Sequence, residues 1–216
     1  TLLVTFVCLT LQDYILGLVT YPAYATVNGL SVSLGIVVGA VPLLVKYATA
    51  SGGMKYKDIF NTLKGLPFGK TLFSALLGFV APYSASIGAY VENLELNSVT
   101  VTMQDRPWLR NPFSSVHALA LANLGELASG LATLSTLQNL KHVRGIPVRV
   151  DTVYKKKARG VITCKSSLTK LLSEISELDG EVEKKVESVM TDAKNDVVAV
   201  TEVTWKFQKK KGKESN

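Results

Sequence analysis

Cysteine and histidine are scarce: the chain holds two of each. Cys8 and Cys164 are too far apart in sequence to form a paired redox or metal motif, and each reads as a free buried thiol. His117 and His142 have no Cys or second His at a ligand spacing, so no metal site is expected. The phosphate-binding loop, the dinucleotide fingerprint and the strand–turn–helix serine elbow are all missing, and no cofactor is expected. Charge is thin at one end, because Asp13 is the only charged residue between Thr1 and Val45.

The rest is the composition of one folded domain. The chain has 216 residues, 47% hydrophobic and 19% charged, which is too apolar for disorder and long enough for a real core. The net charge of +7 invites a nucleic-acid reading. The lysines are scattered, however, or bunched in the runs 155–157 and 209–211, with nothing placed to read bases, so no nucleic-acid partner is expected. A weak attraction to anionic lipid fits the same charge.

Residues 1–50 form an apolar head. Its best spanning candidate is the uncharged run 28–45, about 18 residues long and at the short end for a bilayer helix of ~20. Lysines follow it at 46, 55 and 57, so the positive-inside rule places the next domain on the cytosol or matrix side. The expected partner there is membrane lipid. The stretch 51–65, with Gly52-Gly53, reads as a linker, and 209–216 as a basic tail.

Between them, 66–208 alternates elements. Residues 67–81 read as a helix with an apolar face, stopped by Pro82. Ile87, Ala89 and Val91, then Val99, Val101 and Met103, alternate as a hairpin about Asn97. Residues 106–113 hold two prolines and read as a loop. Ser114 and Ser115 are N-cap candidates for a long helix over 115–137, apolar on every side and rich in small residues, hence buried. Strand patterns return at 146–154 and 158–164. After an insertion at 167–180, a last hairpin spans 184–191 and 197–207. The order predicts an α+β fold in which one antiparallel sheet wraps a long central helix.

Glu126 is the single charge of that helix, and a lone acid on an apolar helix is costly unless paired, hydrated or used. His117 lies nine residues upstream, about 900° around a helix, so the two point to opposite faces. They meet only if two long helices pair in a dimer.

The stretch Asn111 to Glu126 (NPFSSVHALALANLGE) resembles the motif of the phenylacetate-pathway type of acyl-CoA thioesterase in the hotdog-fold superfamily. The segments APYSASIGAYV, RNPFSSVHALALANLGELASGLA and YKKKARGVITC are similar to a hotdog branch of unknown function found in fungi and bacteria. The resemblance covers about 66–207. It implies a hotdog fold, an acyl-CoA or other acyl-thioester substrate, and a homodimer or dimer of dimers. It also implies site roles. Glu126 corresponds to the general base or nucleophile, Asn111 to the residue that positions water or the carbonyl, and His117 to the one that holds the carbonyl region. Ala118 stands where the resemblance implies Gly, with its N–H polarising the thioester oxygen; Leu119 replaces a second Gly. Asn123 and Ser129 are further substrate-contact candidates, Ser129 standing in for a hydroxyl that Gly130 lacks. Arg110, Lys141, Arg144 and the 155–157 run are candidates for the coenzyme A phosphates. The implied activity is hydrolysis of fatty acyl thioesters at a mitochondrial membrane, or less favourably at the endoplasmic reticulum. The alternative is a non-catalytic hotdog module that binds lipid or serves as a structural subunit.

Overall fold

The computed structural model describes residues 55–210 apart from 141 and 170. Helices α1 (Tyr56–Lys64), α2 (Gly69–Val80) and α3 (Pro82–Ala85) precede strands β1 (Tyr90–Leu94) and β2 (Ser98–Gln104). The long helix α4 (Ala118–Leu137) follows, then β3 (Val143–Tyr154), β4 (Val161–Ser167), the short α5 (Leu172–Ser176), β5 (Glu181–Thr191) and β6 (Val197–Lys209). The strands form one six-stranded antiparallel sheet in the order β1-β2-β4-β5-β6-β3. Helix α4 packs against every strand of it. The spanning candidate at 28–45, Cys8 and residues 211–216 lie outside the described residues.

Period-2 alternation builds the core. Val91, Val101, Cys164 and Met190 are paired across β1, β2, β4 and β5, and all are buried. Burial pushes the Cys164 thiol up to about 12, which leaves it inert. Val203, Trp205 and Phe207 continue the inward row on β6. Trp205 donates its indole N–H to Ser129 Oγ of α4 at 2.7 Å, and Ser188 Oγ donates to the Gly125 carbonyl at 2.8 Å. These bonds pin the middle of the helix to β5 and β6. Gly125 is required there, since a Cβ would stand 2.3 Å from Thr201 Oγ1 and 2.4 Å from its Cβ.

Several sequence expectations need correction. The stretch 51–65 is not a plain linker, because α1 occupies 56–64 and buries Phe60 edge-to-face on Phe73 of α2, with ring centroids 5.0 Å apart. Neither the charge of α1 nor the adjacent glycines reveal that amphipathic stripe as strongly as its contact does. The central helix begins at Ala118, and its N-cap is His117 rather than Ser114 or Ser115. Ser114 sits at a turn with φ 55°, and Ser115 is buried on the Asn111 side chain. Pro82 stops α2 but also opens α3 at its first turn. The basic tail starts late: Lys209 ends β6 and binds Asp179 at 2.9 Å.

Strand β3 is an edge. Among the described residues it pairs with β6 alone, and a bulge at Val148 follows Pro147, whose missing N–H an edge tolerates. Ile146, Val148, Val150, Val153 and Tyr154 are all exposed along it. Helix α4 is the one described helix long and apolar enough to cross a membrane, but two thirds of its most apolar stretch is buried within the protein.

The Gly125 contact yields a stability test. Alanine improves helix propensity by ~1 kcal/mol, yet its methyl would overlap Thr201. Gly125→Ala is predicted to destabilise the protein by a net ~1–3 kcal/mol, as overpacked cores do, read as a lower urea midpoint at unchanged slope.

Candidate functional site

The loop before α4 is built around one side chain. Asn111 Oδ1 accepts from the Phe113 N–H at 3.0 Å, the Ser115 N–H at 3.3 Å and Ser115 Oγ at 3.2 Å. The oxygen is therefore committed to the loop, and the amide Nδ2 is the end left to donate. The loop is clamped from outside as well. Val116 N–H donates to the Ala158 carbonyl, Arg159 Nε donates to the Ser114 carbonyl, and the Asp105–Arg110 ion pair at 2.8 Å closes its base. Asp105 and Arg110 thus hold the turn.

His117 caps the helix in an unusual way. Its ring Nδ1 accepts the Leu119 N–H at 3.1 Å. A nitrogen that accepts carries no proton, so the neutral ring holds its proton on Nε2, which points away from the cap. The Ala120 and Leu121 N–H groups donate to the His117 carbonyl. That leaves the Ala118 N–H as the first-turn donor with no acceptor among the described residues. Tyr154 Oη donates to the Ala118 carbonyl at 3.0 Å, which ties edge strand β3 to the helix start. The helix start and the loop before it therefore carry three donors with no acceptor among the described residues: Asn111 Nδ2, His117 Nε2 and the Ala118 N–H, the last at the positive end of a 20-residue helix.

Glu126 stands elsewhere. Two helical turns on from Ala118, about 12 Å along the axis, it is partly buried and makes no hydrogen bond or ion pair among the described residues. Burial alone pushes its carboxyl above the ordinary value of 4.5. Outside the helix's own backbone, a Cβ built at Gly130 would find Glu126 Oε1 at 4.0 Å and no other atom of the described residues within that distance. Within one protomer the donors and the carboxylate stay apart, since the donors sit at the helix start and Glu126 stands two turns on.

Two candidates from the sequence serve the fold instead. Ser129 is fully buried beneath α4, and its hydroxyl accepts the Trp205 indole, so it cannot meet a substrate. Asn123 Nδ2 donates to the Tyr83 carbonyl of α3 at 3.2 Å, so its amide fastens that helix rather than the Glu126 carboxylate one turn on. Of the phosphate candidates, Arg110 pairs with Asp105, Arg144 Nε donates to Gln208, and Lys156 bridges Asp192 and Asp196. Lys157 lies over the exposed Phe113 ring at 5.7 Å, and Lys141 is outside the described residues. Tyr154 is the site residue that sequence reasoning missed: a tyrosine ending an amphipathic strand carries no signal until the helix start is seen beside it.

A family model described as a domain of unknown function (DUF4442) matches residues 69–207. No curated protein sequence matches the chain. Among solved structures, a structural-genomics protein is similar at 23% identity and a TM-score of 0.57, over 72% of this chain and 99% of its own. A Pseudomonas aeruginosa protein of unknown function, described as a probable thioesterase, is similar at 23% identity and a TM-score of 0.57, covering 67% of this chain and 97% of that one. AziG of S. sahachiroi is similar at 16% identity and a TM-score of 0.51, over 60% and 98%. These likenesses show a shared fold.

The carboxyl of Glu126 makes stability depend on pH. In the unfolded chain it titrates at its ordinary value, whereas in the native state it holds its proton to higher pH. Between the two values the native state binds more protons, and stability falls as pH rises through that window. Glu126→Gln removes the ionised group. The variant is predicted to be more stable than the parent at pH 7, with the advantage gone below 4.5, as urea denaturation at each pH reads.

Proposed function

The chain belongs to the DUF4442 family and has the fold of the hotdog thioesterase-like superfamily; on that premise we propose that it hydrolyses acyl-CoA thioesters at a site shared between two protomers. The observation that carries this reading is Glu126, a partly buried carboxylate without a partner on an otherwise apolar helix. Its raised pKa suits a general base working near neutral pH. Glu126 takes a proton from water, and the oxygen of that water adds to the thioester carbonyl carbon. The carbonyl oxygen becomes an oxyanion, held by the Ala118 N–H and by the Asn111 Nδ2 and His117 Nε2 donors. The C–S bond then breaks, and the leaving thiolate takes the proton from Glu126.

About 12 Å of helix axis separates base and donors within one chain, so a second copy supplies one half of each site. The exposed apolar edge of β3 supports that pairing, since a twelve-residue edge strand left open is a template for another strand. Tyr154 links this edge to the donor cluster. The similar Pseudomonas aeruginosa protein, described as a probable thioesterase, agrees in kind with the reading. The apolar run 28–45, outside the described residues, supports a tether to a mitochondrial or endoplasmic-reticulum membrane and hence a long-chain fatty acyl substrate. The second reading, a non-catalytic acyl-thioester or lipid binder, draws on Ala118 and the exposed Leu119 at the two positions where the resemblance implies Gly.

Thiol release from acyl-CoAs of graded chain length tests the proposal. Turnover that Glu126→Ala lowers at least ~100-fold in folded protein is the expected result. Sharing of the site adds a sharper test. Asn111→Ala and Glu126→Ala proteins, each inactive, should regain about one quarter of parental activity when unfolded and refolded together at equal amounts, because half of the two-fold dimers then hold one intact site of two. No turnover by the parent on any acyl-CoA leaves the binding reading.

A further inference from the structure

The central helix carries two interior glycines, and a glycine there weakens a helix unless something needs the room. Gly125 is explained by Thr201, which a Cβ would strike. Gly130 is not explained by any described residue. It is buried, yet among the described residues a Cβ built on it meets only Glu126 Oε1, at 4.0 Å.

Its neighbours on the same line are unfinished in the same way. Glu126, Gly130 and Thr133 stand at i, i+4 and i+7, one above another on one helix face. Thr133 is fully buried, and its Oγ1 is the buried side-chain polar atom without a hydrogen-bond partner among the described residues. Elsewhere around the helix the small polar residues are satisfied. Ser129 holds Trp205, Ser135 donates to the Glu95 and Leu96 carbonyls, and Thr136 donates to Leu96. One side of α4 has its polar groups satisfied within the chain, and the Glu126–Gly130–Thr133 line holds an unpaired carboxylate, a glycine with no packing neighbour to explain it and an unpaired hydroxyl among the described residues.

A partner helix seated on Gly130 would bury the Glu126 carboxylate at the same spot with no counter-charge, which costs more than close packing returns. A substrate that shares the space with the carboxylate and its water carries no such penalty. We propose that Gly130 is a specificity-determining residue: its missing side chain leaves the space in which the first carbons of the acyl group lie beside Glu126. Width at position 130 then decides which acyl groups enter. Glycine admits groups that are broad next to the carbonyl, branched or aromatic, and a methyl excludes these before it excludes straight chains. The inference rests on the thioesterase reading above.

The test compares Gly130→Ala with the parent on butyryl-, isobutyryl- and benzoyl-CoA, with dimer content and melting temperature measured alongside. One methyl in a tight pocket is worth about 10–200-fold. The expected result is a loss of kcat/KM of at least ~10-fold on isobutyryl- and benzoyl-CoA and under about threefold on butyryl-CoA, in protein that stays dimeric and melts no lower. Equal loss on all three, a parent that rejects both broad substrates, or dissociation of the variant would overturn the proposal, the last by assigning the gap to the partner. Non-hydrolysable thioethers, S-benzyl- and S-butyl-CoA, separate this from the hydrolysis reading. If the parent turns over nothing but binds S-benzyl-CoA, and Gly130→Ala selectively loses it, hydrolysis fails and the role of Gly130 stands. Binding of neither thioether by the parent rejects both.

Discussion

The hydrogen bond from the Trp205 indole to Ser129 Oγ, with Gly125 seated on Thr201 beside it, is the contact on which the architecture turns. It holds the middle of a nearly uncharged helix against β6, the longest strand of the sheet. A buried indole N–H without an acceptor would be costly, and so would a buried serine hydroxyl. Each satisfies the other, and the bond has direction where apolar contact has none. It therefore sets the rotation of α4 about its own axis. Once that rotation is set, every other residue of the helix has its face assigned.

The consequence is a helix with two different sides. Gly125, Ser129, Ser135 and Thr136 find their partners in the sheet or in the turn between β1 and β2. Glu126 and Gly130 lie where the described residues offer no such partner, and the fully buried Thr133 Oγ1 is left without one. Burial without a counter-charge raises the Glu126 carboxyl, and this is a cost to the folded protein at neutral pH. Such a cost, set on an otherwise well-satisfied helix, marks chemistry or recognition more readily than it marks structure. The start of the helix has the reverse character. There the loop around Asn111 and the His117 cap satisfy what they can and leave three donors without an acceptor among the described residues.

Much of the architecture was readable from residue patterns. Period-2 alternation at 99–103 and 197–207, and the unbroken apolar stretch ending at Leu137, are strong signals because burial on one face repeats at the period of the element. The helix start was misplaced by three residues, since a histidine ring can cap as an acceptor in a way that composition does not advertise. Helix α1 was hidden by its flanking glycines and lysines. Glu126 stood out because charge on that helix is so rare. Ser129 and Asn123 are short polar side chains near a carboxylate in sequence, and only the structure shows that the first is bonded to Trp205 and the second to the Tyr83 carbonyl. Gly130 carried the opposite ambiguity, since a glycine required by packing and a glycine required by a ligand look alike until the surrounding space is seen.

The edge strand joins these two halves into one argument. Strand β3 offers exposed apolar side chains and an unpaired backbone along twelve residues, and Tyr154 at its end grips the carbonyl of Ala118. Whatever pairs with that edge is thereby brought alongside the donor cluster. A two-fold pairing places the same features of a second chain opposite the first, because an isologous contact repeats every relation in reverse. The distance that separates Glu126 from the donors within one chain then ceases to be an obstacle. On the function we propose, two half-sites, each stable but incomplete, gain a common function only on assembly, so dimer formation and the assembly of the reaction site become one event.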